Sequence, residues 1–210
     1  CHRHSHYVEH ESTAPERITG CRTRVIGEPD SDRICPADLS GLSAFERGDV
    51  HEPQPGVLTL TNATELGTCY RPEELHELCT RAHELGYRVH VDGARFANAV
   101  AALGCDPCAL SKDAGVDALS FGGTKNGLAL GEAVLFFRQG DGEIQRRATE
   151  RFPYLRKGTG HLISKHRTTH LNRLGFMEKV AYSPFVLISL VIHGLAAIAI
   201  TLAPNTFSSN

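Results

Sequence analysis

Short apolar runs alternating with helical segments predict an α/β fold, with a largely parallel sheet flanked by helices. Three observations carry that reading. Residues 57–61, 88–91, 118–121 and 133–137 are apolar runs of strand length, bounded by turn residues. Between the first two, Leu75, Leu78, Ala82 and Leu85 recur at three- and four-residue spacing. The chain has 210 residues, 41% of them hydrophobic, which is ample for a packed core.

Taken in order, residues 1–50 are polar and turn-rich. Gly20, Gly27, Pro29, Pro36 and Gly41 break any long period, and Val25-Ile26 is the one hint of a short strand. Val57-Leu-Thr-Leu-Thr61 reads as a buried strand, with Asn62-Ala-Thr-Glu-Leu-Gly67 as the loop at its C-terminal end. Pro72 suits the first turn of the next helix, where its missing N–H has no partner to lose, and Gly86 closes that helix. A strand over 88–91, a helix over 96–103, a connection holding Cys105-Asp-Pro-Cys108 and a helix-like run over 109–114 follow. The strand 118–121, a Gly-Gly-Thr-Lys turn and the strand 133–137 complete the alternation.

Beyond Gly142 the character changes. Residues 145–157 are basic and polar and predict a solvated helix interrupted at Pro153. Residues 184–203 are nearly free of charge and, at about 20 residues, reach the length that spans a bilayer. This divides the chain into 1–142, a sheet-bearing large domain; 143–175, a helical continuation; and 176–210, an apolar tail.

With 22 basic and 24 acidic residues the net charge is -2, which argues against nucleic acid or an anionic membrane surface as an electrostatic partner. Contact with a membrane is expected only through 184–203. Seven scattered cysteines, an odd number, with no signal peptide at the start, point to reduced thiols and a cytoplasmic setting. The first residue is Cys1 and not methionine, so the chain is expected to be a fragment.

In open parallel sheets ligands sit beyond the carboxyl ends of the strands, where Asn62, Asp92 and Lys125 fall. Lys125 lies in Asp117-Ala-Leu-Ser-Phe-Gly-Gly-Thr-Lys-Asn-Gly127, and Asp92 closes the strand in Tyr87-Arg-Val-His-Val-Asp92, followed by Arg95. An amine and a carboxylate at neighbouring strand ends are what pyridoxal 5′-phosphate needs, one to carry the cofactor and one to keep its pyridine nitrogen protonated. Competing readings stay open: Lys125 as a surface residue, Asp92 as a helix N-cap, Arg95 facing solvent or binding a carboxylate bidentately. A phosphate loop is rejected, because Thr124 precedes the lysine and Asn126 follows it. His2, His4, His6 and His10 cluster without the partners a zinc site requires, and Cys105 and Cys108 read as loop cysteines.

The chain resembles the threonine aldolase and aromatic amino acid β-eliminating lyase family, of pyridoxal-phosphate fold type I, also called aspartate aminotransferase-like. The match is carried by Ser5-His6-Tyr-Val-Glu-His-Glu-Ser-Thr-Ala-Pro15, Leu58-Thr-Leu-Thr-Asn-Ala-Thr-Glu-Leu-Gly67, His90-Val-Asp-Gly-Ala-Arg95, the Lys125 segment and Gly160-His-Leu-Ile-Ser-Lys165. It covers roughly residues 4–167. The resemblance implies that Lys125 carries the cofactor covalently, Asp92 partners the pyridine nitrogen, and Arg95 binds the substrate carboxylate or a ring oxygen. It also implies that His6 stacks on the ring and helps move the hydroxyl proton, with Glu11 close by.

The implied reaction is cleavage of L-threonine or L-allo-threonine to glycine and acetaldehyde by a homo-oligomer, a dimer or tetramer in full-length relatives. Alternatives are β-elimination from an aromatic amino acid, or a non-catalytic, membrane-associated fragment. The resemblance further leads one to expect that the cofactor's phosphate loop lies outside these residues, and that 184–203 is either an anchor or an out-of-frame extension.

Overall fold

Leucine alternates with threonine through Val57–Thr61, valine with polar residues through Arg88–Gly93, and apolar with small or polar residues through Ala118–Gly122. That period of two gives the sheet two unlike faces. In the computed structural model, which describes residues 1–42, 49–127, 132–137 and the backbone of 160–163, these runs are strands β1, β2 and β3. Glu132–Phe136 forms β4 and Gly160–Ile163 forms β5. The strands lie in the order β1-β2-β3-β4-β5, with β4 antiparallel to β3 and the other neighbours parallel. The α/β class and the largely parallel sheet are as the sequence predicts.

Helices α1 (His6–Glu9), α2 (Ala14–Thr19), α3 (Pro72–Glu84) and α4 (Phe96–Leu103) complete the described framework. In register, Leu58, Leu60, Val89, Val91, Leu119, Phe121, Ala133 and Leu135 share one face. They form a single core with Leu75, Leu78 and Ala82 of α3 and Phe96 and Ala99 of α4. The opposite face carries Thr59, Thr61, His90, Asp92 and Ser120, all of them buried. Both helices that cross between parallel strands therefore serve the apolar face, and the polar groups collect on the other.

The helix α3 starts where Pro72 predicts, and Glu74 accepts the Arg71 N–H at 2.8 Å, which satisfies a donor that the helix leaves unpaired. The start of β3 is tied to β2 by Asp117. Its buried carboxylate accepts from the Val89 N–H at 2.7 Å and meets His83 Nε2 at 2.8 Å.

Three expectations are corrected. The helix-like run 109–114 is two 3-10 turns, Pro107–Leu110 and Lys112–Ala114. Asp106 caps the first, and the Ser111 hydroxyl bonds back to the Pro107 carbonyl at 2.8 Å, so no α-helix propagates. Val25-Ile26 forms no strand, only one bridge between His2 and Ile26. The N-terminal region, expected to be irregular, holds α1 and α2, the second with Pro15 in its first turn and Gly20 in the left-handed conformation at its end. The helix predicted over 145–157 and the apolar stretch 184–203 lie outside the described residues. Among the described residues no helix is long and apolar enough to cross a membrane.

Gly93 ends β2 where the chain has no room for a side chain. A Cβ there would come within 2.6 Å of Leu119 Cδ1 and 2.7 Å of the Ser120 carbonyl oxygen. Gly93→Ala is expected to destabilise the fold by about 1–3 kcal/mol through overpacking, read as a lowered urea midpoint at unchanged slope.

Candidate active site

The parallel strands β1, β2 and β3 end side by side at Thr61, Gly93 and Gly122. Asp92, next to last in β2, stands in register between Thr61 and Ser120 and is only 5% exposed. Its Oδ1 accepts the Ala94 N–H at 2.9 Å, the short-range bond that an aspartate makes when the chain turns two residues later. Asp92 is therefore not the N-cap of α4, which begins at Phe96 with Arg95 in the cap position. The reason is local: residue 92 is still paired in the ladder, where its carbonyl accepts the Asn62 N–H at 3.0 Å.

Lys125 lies in the 3-10 turn Gly123–Asn126 that follows β3 directly. Its side chain is exposed, and among the described residues its amine makes no hydrogen bond or ion pair. The residue after it does the structural work. Asn126 Nδ2 donates toward the carbonyls of Gly93 at 3.2 Å, Ala94 at 3.1 Å and Gly122 at 2.6 Å, while its Oδ1 accepts the Ala97 N–H at 2.7 Å. One buried amide thus joins the lysine turn, the end of the aspartate strand and the first turn of α4.

Asn126→Ala is expected to cost about 1–3 kcal/mol, because buried backbone groups lose their partners. Asn126→Asp should cost more, since it keeps the acceptor for Ala97 but sets a carboxylate against three carbonyl oxygens. Urea unfolding of the two variants reads the order directly.

The other two predicted residues are placed by different contacts. Arg95 is partly exposed, and its Nη1 lies 3.4 Å from Glu65 Oε2 in the loop after β1. That loop is held shut by Asn62, whose fully buried amide exchanges hydrogen bonds with the backbone of Tyr70 at 3.1 and 3.3 Å. Asn62 is thus a structural residue at the strand end. His6 Nδ1 is 3.0 Å from Glu11 Oε1, whose carboxylate is buried, and its ring stacks on His10 with centroids 4.7 Å apart. Ser5, just before it, lines a crevice with Thr59, Thr61 and Glu65, which brings the N-terminal segment to the end of β1.

A cleft of about 840 Å³ opens between residues 20–26 and 56–59, and none of the predicted site residues lines it. Among the described residues no group of three or more His, Cys, Asp and Glu side chains could hold a metal ion. Cys105 and Cys108 are free, and burial pushes both thiols up, the opposite of what a reactive thiolate needs.

Sequence reasoning passed over Asn126, His90 and Ser120. The strand alternation was the available signal for the last two, because residues 90 and 120 fall on the same face as Asp92. Asn126 carried none, since its partners lie about 30 residues away in sequence.

An amine, a buried carboxylate and a guanidinium follow the C-terminal ends of parallel strands, the edge at which α/β sheets as a class take small ligands. The family is more specific. Residues 1–187 match the beta-eliminating lyase family, and the chain belongs to it. It is 42% identical over 182 residues to a low specificity L-threonine aldolase of Pseudomonas aeruginosa, covering 87% of this chain and 50% of that protein. A low specificity L-threonine aldolase from another Pseudomonas is 41% identical over 182 residues, with the same coverage. The chain spans about half the length of these curated relatives. Among solved structures, a threonine aldolase of Leishmania major aligns over 60% of this chain and 36% of its own, at 28% identity and a TM-score of 0.48.

Proposed function

We propose that this chain is the pyridoxal 5′-phosphate-holding part of a lyase that cleaves L-threonine and L-allo-threonine to glycine and acetaldehyde. The observation that carries the reading is the juxtaposition of Lys125 and Asp92 at neighbouring parallel-strand ends, joined through Asn126. The names of the two Pseudomonas relatives support it. The donor set fits the cofactor: an exposed amine without an ion pair among the described residues, and a buried carboxylate whose Oδ1 is already oriented by a backbone N–H.

When bound, the cofactor supplies an electron sink for the charge released at the substrate's α-carbon. Lys125 would hold it covalently through Nζ, and Asp92 would accept a hydrogen bond from the pyridine nitrogen. Arg95 binds the substrate carboxylate, for which Glu65 keeps the guanidinium near the strand ends before substrate arrives. Glu11 Oε1 lies 3.0 Å from His6 Nδ1, so a proton held there would make Nε2 the nitrogen that takes the proton of the β-hydroxyl. The active assembly is a cytoplasmic homo-oligomer, as the family resemblance implies.

Mixing the purified chain with pyridoxal phosphate tests the reading. The expected result is a visible absorbance that survives gel filtration, with acetaldehyde and glycine released from L-threonine. A flat spectrum, or release of a phenol or indole from aromatic substrates in place of acetaldehyde, would overturn it.

A further inference from the structure

The strand β1 lies at an edge of the sheet, with β2 as its neighbour on one side. Its even-numbered residues serve that neighbour: the Gly56 carbonyl accepts the Arg88 N–H and the Asn62 N–H donates to the Asp92 carbonyl, so Leu58 and Leu60 pair between them. The N–H and C=O groups of Val57, Thr59 and Thr61 point the other way. Among the described residues they make no hydrogen bond. Edge strands ordinarily protect such a row with charges, proline or a bulge, and Val57-Leu-Thr-Leu-Thr61 has none of these. Residues 58–61 are instead buried on both faces, as in the middle of a sheet.

The open row faces the cleft of about 840 Å³, whose opposite wall is residues 20–26. Leu42, Val57 and Tyr87 give the cleft apolar surface, and the charged side chains that line it are Arg22 and Arg24. Cys1 lines it too. Its amine donates to the Arg24 carbonyl at 3.1 Å, its carbonyl accepts the Ile26 N–H at 3.0 Å, and His2 bridges Ile26 in parallel. His2 and Ser5 then reach the crevice beside Thr59, Leu60 and Thr61, so residues 1–5 leave the cleft in the direction in which β1 runs. Five residues of strand, about 17 Å long, about 4.8 Å from a neighbour and about 10 Å through the layer, fill roughly 800 Å³. The cleft has that volume.

We propose that the cleft is a strand-acceptor site: one extended peptide segment of about five residues lies in it parallel to β1, pairs with the outward groups of Val57 and Thr59, and ends at Cys1. Main-chain hydrogen bonds supply the affinity, as in other cases of strand addition to a sheet edge. The two arginines favour an acidic side chain over a basic one. A second copy cannot offer its own β1 for this pairing, because residues 20–26 of that copy wall it off. The site is independent of the proposed cofactor chemistry.

Amide hydrogen exchange of the purified chain tests the proposal residue by residue. In the chain as it stands, Val57 and Thr59 are expected to exchange faster than Leu58 and Leu60, which are paired with β2. Fusing Thr-Val-Thr-Val-Thr directly ahead of Cys1 should slow the Val57 and Thr59 amides about tenfold or more, and a Gly-Ser extension of the same length should not. The separate acetylated pentapeptide Thr-Val-Glu-Val-Thr should slow the same two amides at lower concentration than Thr-Val-Lys-Val-Thr does. Equal exchange in the two extended chains, or Val57 and Thr59 amides already as slow as those of Leu58 and Leu60 without any peptide, overturns the proposal. So does protection that appears only with dimerisation in sedimentation, which would make the occupant a second copy. Protection by inorganic phosphate and by neither peptide would make the cleft an anion site and overturn it as well.

Discussion

Lys125→Ala is expected to fold like the wild type and to hold no pyridoxal phosphate through borohydride reduction. The first half follows from the structure around residue 125. The side chain is exposed, and among the described residues its amine has no bond to lose. The turn is fixed by Asn126 and by Gly127 at φ 92°, neither of which the substitution touches. Stability should change by no more than about 0.5 kcal/mol, as at other exposed positions. The second half follows from chemistry, since alanine has no amine with which to hold a carbonyl compound. Mass spectrometry of the reduced, digested protein decides it: the peptide spanning residue 125 carries the cofactor's mass in the wild type and none in the variant. Retention in Lys125→Ala would move the attachment to another residue, and loss of fold would make Lys125 structural.

Asp92→Asn is expected to lower turnover of L-threonine about 10²–10³-fold, the usual cost of removing one oriented electrostatic partner, with little change in stability. Asparagine keeps an oxygen for the Ala94 N–H, so the turn after β2 survives. What it lacks is the negative charge that, on the proposed function, would hold a proton on the ring nitrogen. Asp92→Ala removes the charge and the turn bond together, so it should lose about 1 kcal/mol more stability than the asparagine variant. If both variants lost activity in proportion to stability, the role of Asp92 would be only structural.

The parts of the fold that were legible in the sequence are those where local chemistry and tertiary structure agree. Pro72 and Gly86 bracket α3, and the strand runs need only their alternation to be recognised. The 3-10 turns after Asp106 were not legible, because a serine hydroxyl bonding back to a carbonyl competes with the helix on equal terms. The lysine and the aspartate stood out by position at strand ends. The groups that hold them did not, since Asn126 acts through carbonyls of residues 93 and 94, and nothing in an asparagine beside a lysine announces that reach. His6 was legible only through family resemblance, and its pairing with Glu11 depends on the short helix α1.

The bonds from Asn126 make the lysine turn and the aspartate strand end a single rigid body. The backbone spacing between residues 92 and 125 is then set when the chain folds, before any ligand arrives. Backbone entropy that a hinged site would lose on binding has already been lost in folding, so a ligand held at these strand ends would keep that share of its binding energy. Such preorganisation should show as slow, cooperative hydrogen exchange at Ala94 and Ala97, their amides opening together with the core.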